Sequence, residues 1–211
     1  MNIRKLSDKF NMRRFCLVAM IALSTLLVHN IAVSSVSSIQ DDGADEYKID
    51  NSHSSMVFAV SHFGLSYTYG RFNDISGNFA LRGGELTTKG FTFNIKPESV
   101  DTNNAERDKH LRGPEFFNTE TFTEIKFETT GFEKVRDVLQ IKGDLTMLGQ
   151  TKPMAFPVEL VGIGKGPFGA QRAGFFTKFT INRDEFGMDK MASQIGNKIS
   201  ITFSFEGVKQ P

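Results

Sequence analysis

The chain has 211 residues, which predicts one domain, and a formal net charge of +1, which gives no support for nucleic-acid binding. Phenylalanine is abundant, with 21 residues, while tryptophan is absent. So much phenylalanine either fills a large core or lines an apolar cavity, and composition alone leaves both interpretations open.

The N-terminus has the three-part layout of a secretory signal. Five basic residues lie within residues 1–14, an apolar run covers 15–28, and small residues follow as far as Ser38. The apolar run is too short for a comfortable membrane span, so we predict a signal peptide over residues 1–35, cleaved between 32 and 38. An uncleaved anchor that extends to Val33 is the alternative.

The only cysteine, Cys16, lies in this predicted signal. An exported chain without it has no disulfide, no thiol nucleophile and no thiolate metal site. Cleavage would also remove five of the 25 basic residues and one of the 24 acidic ones, which leaves 20 against 23 and a mildly acidic protein.

After a polar leader over residues 36–45, apolar and polar residues alternate with the period of β-strands from Tyr47 onward. Strands are predicted over 56–62, 69–81, 91–95, 123–129, 138–147, 154–160, 175–181 and 199–205, with a glycine-rich loop over 162–174. About seven to nine strands without a βαβ rhythm favour an antiparallel all-β fold. A closed barrel around one elongated ligand and a two-sheet sandwich both fit this pattern.

In one segment, residues 100–117, the sequence predicts a helix rather than a strand. Asn103 is the predicted N-cap, Glu106 completes a capping box three residues later, and Gly113-Pro114 ends the helix. Asp108 and Arg112 are spaced to pair on one helix face.

Two adjacent phenylalanines, Phe116 and Phe117, follow this helix. A short helix with paired phenylalanines between strands indicates a lid across the end of a β-structure.

Several short motifs make the chain resemble the YceI-like, polyisoprenoid-binding family. Each motif is weak alone, but together and in this order they are specific, and they predict a family domain over residues 46–209. The motifs are Asp50-Asn51-Ser52-His53-Ser54, Phe58-x-Val60-x-His62, Ser99-Val100-Asp101-Thr102, Arg107-Asp108-x-His110-Leu111, Phe116-Phe117, Gly143-Asp144-Leu145-Thr146 with Gly149-x-Thr151-Lys152-Pro153, and Ile181-Asn182-Arg183-x-x-Phe186-Gly187-Met188.

The resemblance implies a single lipocalin-like antiparallel barrel of about eight strands with a short helical insert, exported to the bacterial periplasm. It also implies a long apolar pocket for an isoprenoid or similar long-chain lipid. The sequence departs from the usual family pattern at Tyr69-Gly70-Arg71-Phe72.

Inward-facing apolar residues of the predicted strands are the candidate pocket wall, with core packing as the alternative role for each. The candidates are Phe58, Phe79, Phe93, Phe127, Leu145, Phe179 and Phe203. Because each buried methylene of a ligand contributes about 0.8 kcal/mol, a long lipid tail needs few polar contacts. His62 continues an apolar strand face and is a candidate contact for a polar head.

Three histidines, His53, His62 and His110, could form a metal site or, with Asp50 and Asp108, an acid–base set. Their spacing does not impose convergence, and no HExxH motif is present. We therefore predict no metal and no cofactor.

Three arginines, Arg107, Arg112 and Arg183, match the geometry of a diphosphate and are head-group candidates together with His110. Pairing with Asp108 or Asp184 is the alternative. The chain has no G-x-S-x-G nucleophile elbow, and the turn at Gly149 lacks the ending of a phosphate loop.

The sequence therefore favours a non-enzymatic periplasmic protein that sequesters or carries an isoprenoid-type lipid. A metal-assisted or acid–base enzyme acting through the three histidines is the first alternative. An accessory to stress response or electron transport is the second, with a membrane redox protein as its partner. A homodimer is also left open.

Overall fold

A computed structural model describes residues 43–87, 90–136 and 138–211. The predicted signal peptide, Cys16 and most of the polar leader lie outside these residues. The strands are β1 Asp45–Ile49, β2 Ser55–His62, β3 Ser66–Phe72, β4 Ile75–Arg82, β5 Glu85–Leu86, β6 Thr92–Ile95, β7 Val100–Asp101, β8 Ile125–Val135, β9 Val138–Met147, β10 Gln150–Lys165, β11 Gln171–Asn182 and β12 Ile195–Lys209. Helix α1 spans Ala105–Arg112, and short 3-10 turns span Asn51–His53, Pro97–Ser99 and Arg183–Phe186.

The strands form a closed antiparallel barrel. Its eight-strand circuit runs β1-β4-β6-β8-β9-β10-β11-β12, and β12 pairs back onto β1, where Tyr47 lies opposite Lys209 and Ile49 opposite Gly207. Closure pairs the edge strands that an open sheet would leave exposed. This pairing decides for a barrel and against a sandwich.

Strands β2 and β3 extend the wall at one end of the barrel. Strand β12 is long enough to pair with β1 through its last residues and with β2 through Ile195–Ser204. Strand β3 pairs with β2 and then with the two-residue β7, after which the chain turns into α1. The helical insert therefore lies at the end of the barrel that β2 and β3 build.

A cluster of phenylalanines fills the interior at the opposite end. The period-two pattern turns their rings inward, and each is almost completely buried: Phe79, Phe91, Phe93, Phe127, Phe156, Phe175, Phe203 and Phe205. Neighbouring ring centroids lie 4.7 Å apart for Phe91 and Phe205 and 5.2 Å apart for Phe93 and Phe127. Burial of each ring contributes about 1.5–3 kcal/mol, which makes this cluster a main source of stability.

The predicted glycine-rich loop over 162–174 is wrong in its extent. Strand β10 continues to Lys165 and β11 begins at Gln171, with Gly162 paired opposite Gly174. Glycine weakens a strand but does not forbid one, and the long hairpin supplies ladder hydrogen bonds to these residues. The pairing of β10 with β11 shifts its register between Leu160 and Gly162, where β10 enters its glycine-containing part.

The helix begins one residue later than predicted. Asn104, not Asn103, is the N-cap, and its side chain accepts a 2.9 Å hydrogen bond from the Arg107 amide. Asn103 instead takes a left-handed backbone (φ 59°), and its amide donates to the Asp101 carboxylate. This Asp101 turn precedes the helix and displaces the predicted capping box. The end at Gly113 is as predicted.

The predicted pair of Asp108 and Arg112 is also wrong. Asp108 is buried and accepts hydrogen bonds from the amide and hydroxyl of Thr102. Arg112 donates to the carbonyls of Glu98 and Val100. Helical spacing placed the two side chains on one face, but the loop that precedes α1 offers each of them a nearer partner.

In the part of the chain that is described, no helix has both the length and the apolar character needed to cross a membrane.

Candidate functional site

The barrel interior is open at the end where β2, β3 and α1 lie. Along β12, the inward residues Phe203 and Phe205 are fully buried in the packed cluster, whereas Ile199 and Ile201 are half-buried and face a cavity. The cavity has a volume of about 450 Å³. Phe93 forms its floor, since that ring lines the cavity and also packs on Phe127 and Phe203.

Most of the cavity lining is apolar, and it comes from the inward faces of seven strands. These strand residues are Met56, Phe58, Val60, Phe72, Phe93, Ile95, Ile125, Leu145, Met147, Phe179, Ile181, Ile195, Ile199 and Ile201. Further apolar residues come from the helical insert and from the chain between β11 and β12: Leu111, Phe116, Phe117, Met188 and Met191. An interior of this kind offers a water molecule few polar partners and offers an apolar chain continuous contact.

The predicted wall residues divide into two groups. Phe58, Phe93, Leu145 and Phe179 line the cavity, together with His62. Phe79, Phe127 and Phe203 do not line it and lie in the packed cluster, where Phe79 stacks on Tyr47 at 5.1 Å. Alternation predicts which face of a strand a residue occupies, but not its height along the barrel axis, and height decides between cavity and core here.

Some lining residues were missed by sequence reasoning. Ile181, Ile199 and Ile201 share the inward faces of their strands with predicted wall residues, so alternation could have found them. Met188 and Met191 lie between β11 and β12 outside any periodic pattern, and only the folded chain brings them to the cavity.

Gly70 explains how Phe58 reaches the cavity wall. A Cβ atom at this position would overlap the Phe58 ring and would lie 2.7 Å from the Thr102 Cγ2 atom. The ring therefore lies over the glycine backbone.

The mouth of the cavity is polar and is marked by residues that both line it and reach solvent. They are His62, Glu106, Arg107, His110 and Met191. Arg107 is held in place because its Nε donates to the Thr102 hydroxyl and its Nη2 to the Thr102 carbonyl, each at 2.7 Å. His110 lies 2.8 Å from the Glu115 carboxylate, with its ring edge-on to Phe116. Of the head-group candidates, Arg107 and His110 thus lie at the mouth.

The other two arginines are engaged elsewhere. Arg112 does not line the cavity, because its guanidinium donates to the carbonyls that precede α1. Arg183 lines the cavity but is only 3% exposed, and it donates to the carbonyls of Met188, Lys190, Ile195 and Gly196. Burial lowers the pKa of Arg183, and the nearby carboxylates of Asp184 and Asp189 oppose that shift. Through these hydrogen bonds, Arg183 stabilises the segment between β11 and β12.

The three histidines do not converge. His53 does not line the cavity and instead lies 2.9 Å from Asp50, whose carboxylate also bonds Ser52 and Arg172. Hydrogen bonds from Ser52, then His53 and Arg172, hold the pKa of Asp50 well below its ordinary value, although burial opposes them. Within residues 43–87, 90–136 and 138–211, no three His, Cys, Asp or Glu side chains are placed to hold a metal ion.

The fold and the sequence both have counterparts among known proteins. The structure resembles Burkholderia cenocepacia BcnA with a TM-score of 0.67 at 17% identity, over 75% of this chain and 98% of that one. It also resembles a polyisoprenoid binding domain from Saccharophagus degradans with a TM-score of 0.63 at 15% identity, over 78% and 98% of the two chains. At these identities the likeness shows a shared barrel fold.

Sequence similarity is higher to curated relatives. A UPF0312 protein of Shewanella oneidensis is 39% identical over 170 residues, which cover 79% of this chain and 89% of that protein. The profile of the YceI-like domain matches residues 47–207, from the first barrel strand into the last. The chain therefore belongs to the YceI-like domain family.

Proposed function

We propose that this chain binds one isoprenoid-type lipid, with the apolar tail in the barrel cavity and the polar head at the mouth beside Arg107, His110 and His62. The observation that carries the proposal is a cavity of about 450 Å³ with a largely apolar wall, whose exposed polar side chains lie at the mouth.

The energetics favour a chain-like apolar ligand. Each methylene that leaves water contributes about 0.8 kcal/mol, and the volume lies within the roughly 300–1,000 Å³ of typical ligand pockets. The half-buried Phe58, Phe179 and Ile201 would complete their burial against such a tail. The Saccharophagus degradans neighbour is named for polyisoprenoid binding, and the family and its neighbours point to a binding protein rather than an enzyme.

The proposal places the protein in the periplasm as a carrier or store of this lipid, after export through residues 1–35. It does not extend to a membrane redox protein or to a homodimer, which the sequence left open. It also does not include catalysis by the histidines, because His53 lies apart from the cavity that His62 and His110 border.

Native mass spectrometry of protein purified without detergent tests the proposal, followed by organic extraction and identification of any released molecule. We expect one bound molecule per chain with a polyprenyl or quinone signature. A bare mass that does not change when polyprenyl lipids are added back would contradict the proposal.

A variant that fills the cavity provides the second test. In Ile199→Trp the larger side chain would project into the cavity and block the tail, whereas in Ser200→Trp the same side chain would lie on the exposed outer face of the same strand. We expect the first variant to lose at least ten-fold in affinity for a prenyl lipid and the second to bind as the wild type does. Equal affinities in titrations of the two variants would locate the ligand outside this cavity.

A further inference from the structure

An exposed apolar patch adjoins the mouth of the cavity. At the turn between β2 and β3, Phe63 is 56% exposed and Leu65 is 87% exposed, and Tyr67 and Tyr69 extend the patch along the outer face of β3. Met191, also exposed, joins it from the chain between β11 and β12. We call these five residues the mouth patch. Contiguous exposed apolar residues at a tip mark an interaction surface more often than scattered ones do.

The backbone under the mouth patch is strained. Phe63 (φ 51°) and Met191 (φ 56°) both adopt the left-handed conformation, which is uncommon and unfavourable for bulky side chains. The Phe63 amide donates to the Gln194 carbonyl at 2.7 Å, and the Gln194 amide donates to the Met191 carbonyl at 2.9 Å. The two strained segments are thus tied together, and the fold holds large apolar side chains in water at a cost.

The mouth patch is continuous with the cavity. Met191 belongs to both, and the ring of His62, which lines the cavity, packs edge-on against Phe63 with centroids 4.6 Å apart. An apolar molecule that leaves the cavity at this point would therefore meet the mouth patch before it meets water.

Charge distribution indicates what covers the patch. Residues 52–70, which include β2, the turn and most of β3, contain no Asp, Glu, Lys or Arg. Burial of this segment against an apolar partner therefore does not remove a charged side chain from water. On the neighbouring segment between β11 and β12, Lys190 is exposed together with Asp184, Glu185 and Asp189, so the charged side chains lie beside the patch and not within it. Phenylalanine and leucine at the tip, with tyrosines behind them, follow the order of groups that suits a bilayer interface.

We propose that the mouth patch docks on the surface of a lipid bilayer, which lets an apolar ligand pass between bilayer and cavity without crossing water. The transfer step rests on the proposed function, whereas the docking itself does not require a ligand.

The absence of tryptophan from the sequence permits a position-specific test in the full chain. Leu65→Trp introduces a single tryptophan into the mouth patch, and its indole is excited at longer wavelengths than the tyrosines are. Phe168→Trp is the matched control, because Phe168 is 98% exposed in the turn between β10 and β11 at the opposite end of the barrel. Each variant is mixed with vesicles of phosphatidylethanolamine and phosphatidylglycerol that carry brominated acyl chains.

With these vesicles, we expect the emission of Leu65→Trp to shift to the blue and to lose most of its intensity. The emission of Phe168→Trp should keep its solvent-exposed spectrum. Solvent-like spectra for both variants, or equal quenching of both, would overturn the docking proposal.

A second comparison separates docking from ligand binding. Leu65→Ser should bind farnesol added from solution as tightly as the wild type does, but it should extract a prenyl lipid from vesicles several-fold more slowly. An unchanged extraction rate would overturn the transfer role of the patch. Failure of the wild type to bind farnesol would count against the proposed function while leaving the quenching result to stand by itself.

Discussion

The inward-facing phenylalanines of this barrel either pack in the core or border the cavity according to their height along the barrel axis, and Phe93, at the boundary, does both. Phe203 is completely buried and lies 4.7 Å from Phe205 and 5.5 Å from Phe93, between ring centroids. Phe58 points the same way from the neighbouring strand but borders the cavity and is only half-buried. Identical residues on adjacent strands therefore differ in what they contribute to the packed core and to the cavity wall.

We expect Phe203→Ala to lower the free energy of unfolding by about 3–5 kcal/mol, because it leaves a void in a packed cluster. Phe58→Ala should lower it by only about 1–2 kcal/mol, because part of that ring already faces open space. Urea denaturation of the two variants measures the difference. Equal losses of stability in the two variants, or a larger loss for Phe58→Ala, would show that the cavity end is packed as tightly as the far end.

At the scale of a single element, α1 is attached to the barrel by a small polar network. The buried Asp108 carboxylate accepts from both the amide and the hydroxyl of Thr102, and Arg107 bonds the same hydroxyl and the Thr102 carbonyl. Because Thr102 and Arg107 both line the cavity, this network fixes one side of the mouth.

We expect Asp108→Ala to cost about 1–3 kcal/mol of stability, because two buried donors on Thr102 lose their acceptor. Amide hydrogen exchange should become faster across Ala105–Arg112. Lys109→Ala, on the exposed face of the same helix, is the control and should leave exchange unchanged. If the two variants exchange alike, Asp108 does not anchor the helix.

At the scale of the whole molecule, closure of the barrel depends on contacts between its first and last strands. Beside the pairing of β1 with β12, the Asp50 amide donates to the Glu206 carbonyl at 2.8 Å. Arg172 on β11 bonds both the Asp50 carboxylate, at 2.9 Å, and the Glu206 carboxylate. Side chains from three separate parts of the chain thus meet where the barrel closes.

The lowered pKa of Asp50 makes the stability of this junction depend on pH. In the unfolded chain an aspartate has a pKa of about 4, whereas the pKa of Asp50 in the folded protein is lower. Between these two pKa values the unfolded state binds the proton more tightly than the folded state does. The contribution of Asp50 is therefore fully present above about pH 4 and is lost as the pH falls towards the folded pKa.

Urea denaturation at a series of pH values tests this dependence. We expect Asp50→Asn to be less stable than the wild type at neutral pH, and the difference between them to shrink as the pH falls below about 4. A difference that stays constant down to pH 2 would show that Asp50 does not supply this part of the pH dependence.

Much of the fold could be predicted from local pattern. Alternation predicted most strands of the barrel wall, but it did not predict β1, and it predicted one strand over 69–81 where the structure has parts of β3 and β4. The family motifs predicted a barrel of this type with a short helical insert, as observed. The errors lie where another contact outweighed the simple sequence pattern. The hairpin partner of Gly162 keeps it in a strand, and Asp101 moves the helix start past Asn103.

The candidate site was predictable only in part, for the same reason. The period-two pattern predicts the inward orientation of Phe58, Phe93 and Phe179, which line the cavity. It predicts the same orientation for Phe79, Phe127 and Phe203, which lie in the core and do not line the cavity. No local signal distinguishes the two sets, because the distinction depends on what faces each ring across the barrel.

The sequence by itself determined the kind of elements, the face that each residue presents and the family to which the chain belongs, because these depend on local periodicity and short motifs. Only the tertiary structure decided that β12 closes on β1, that one end is packed while the other is open, and that Met188, Met191 and the helical insert border the same cavity. These features depend on contacts between residues far apart in the chain, and such contacts exist only once the barrel has closed.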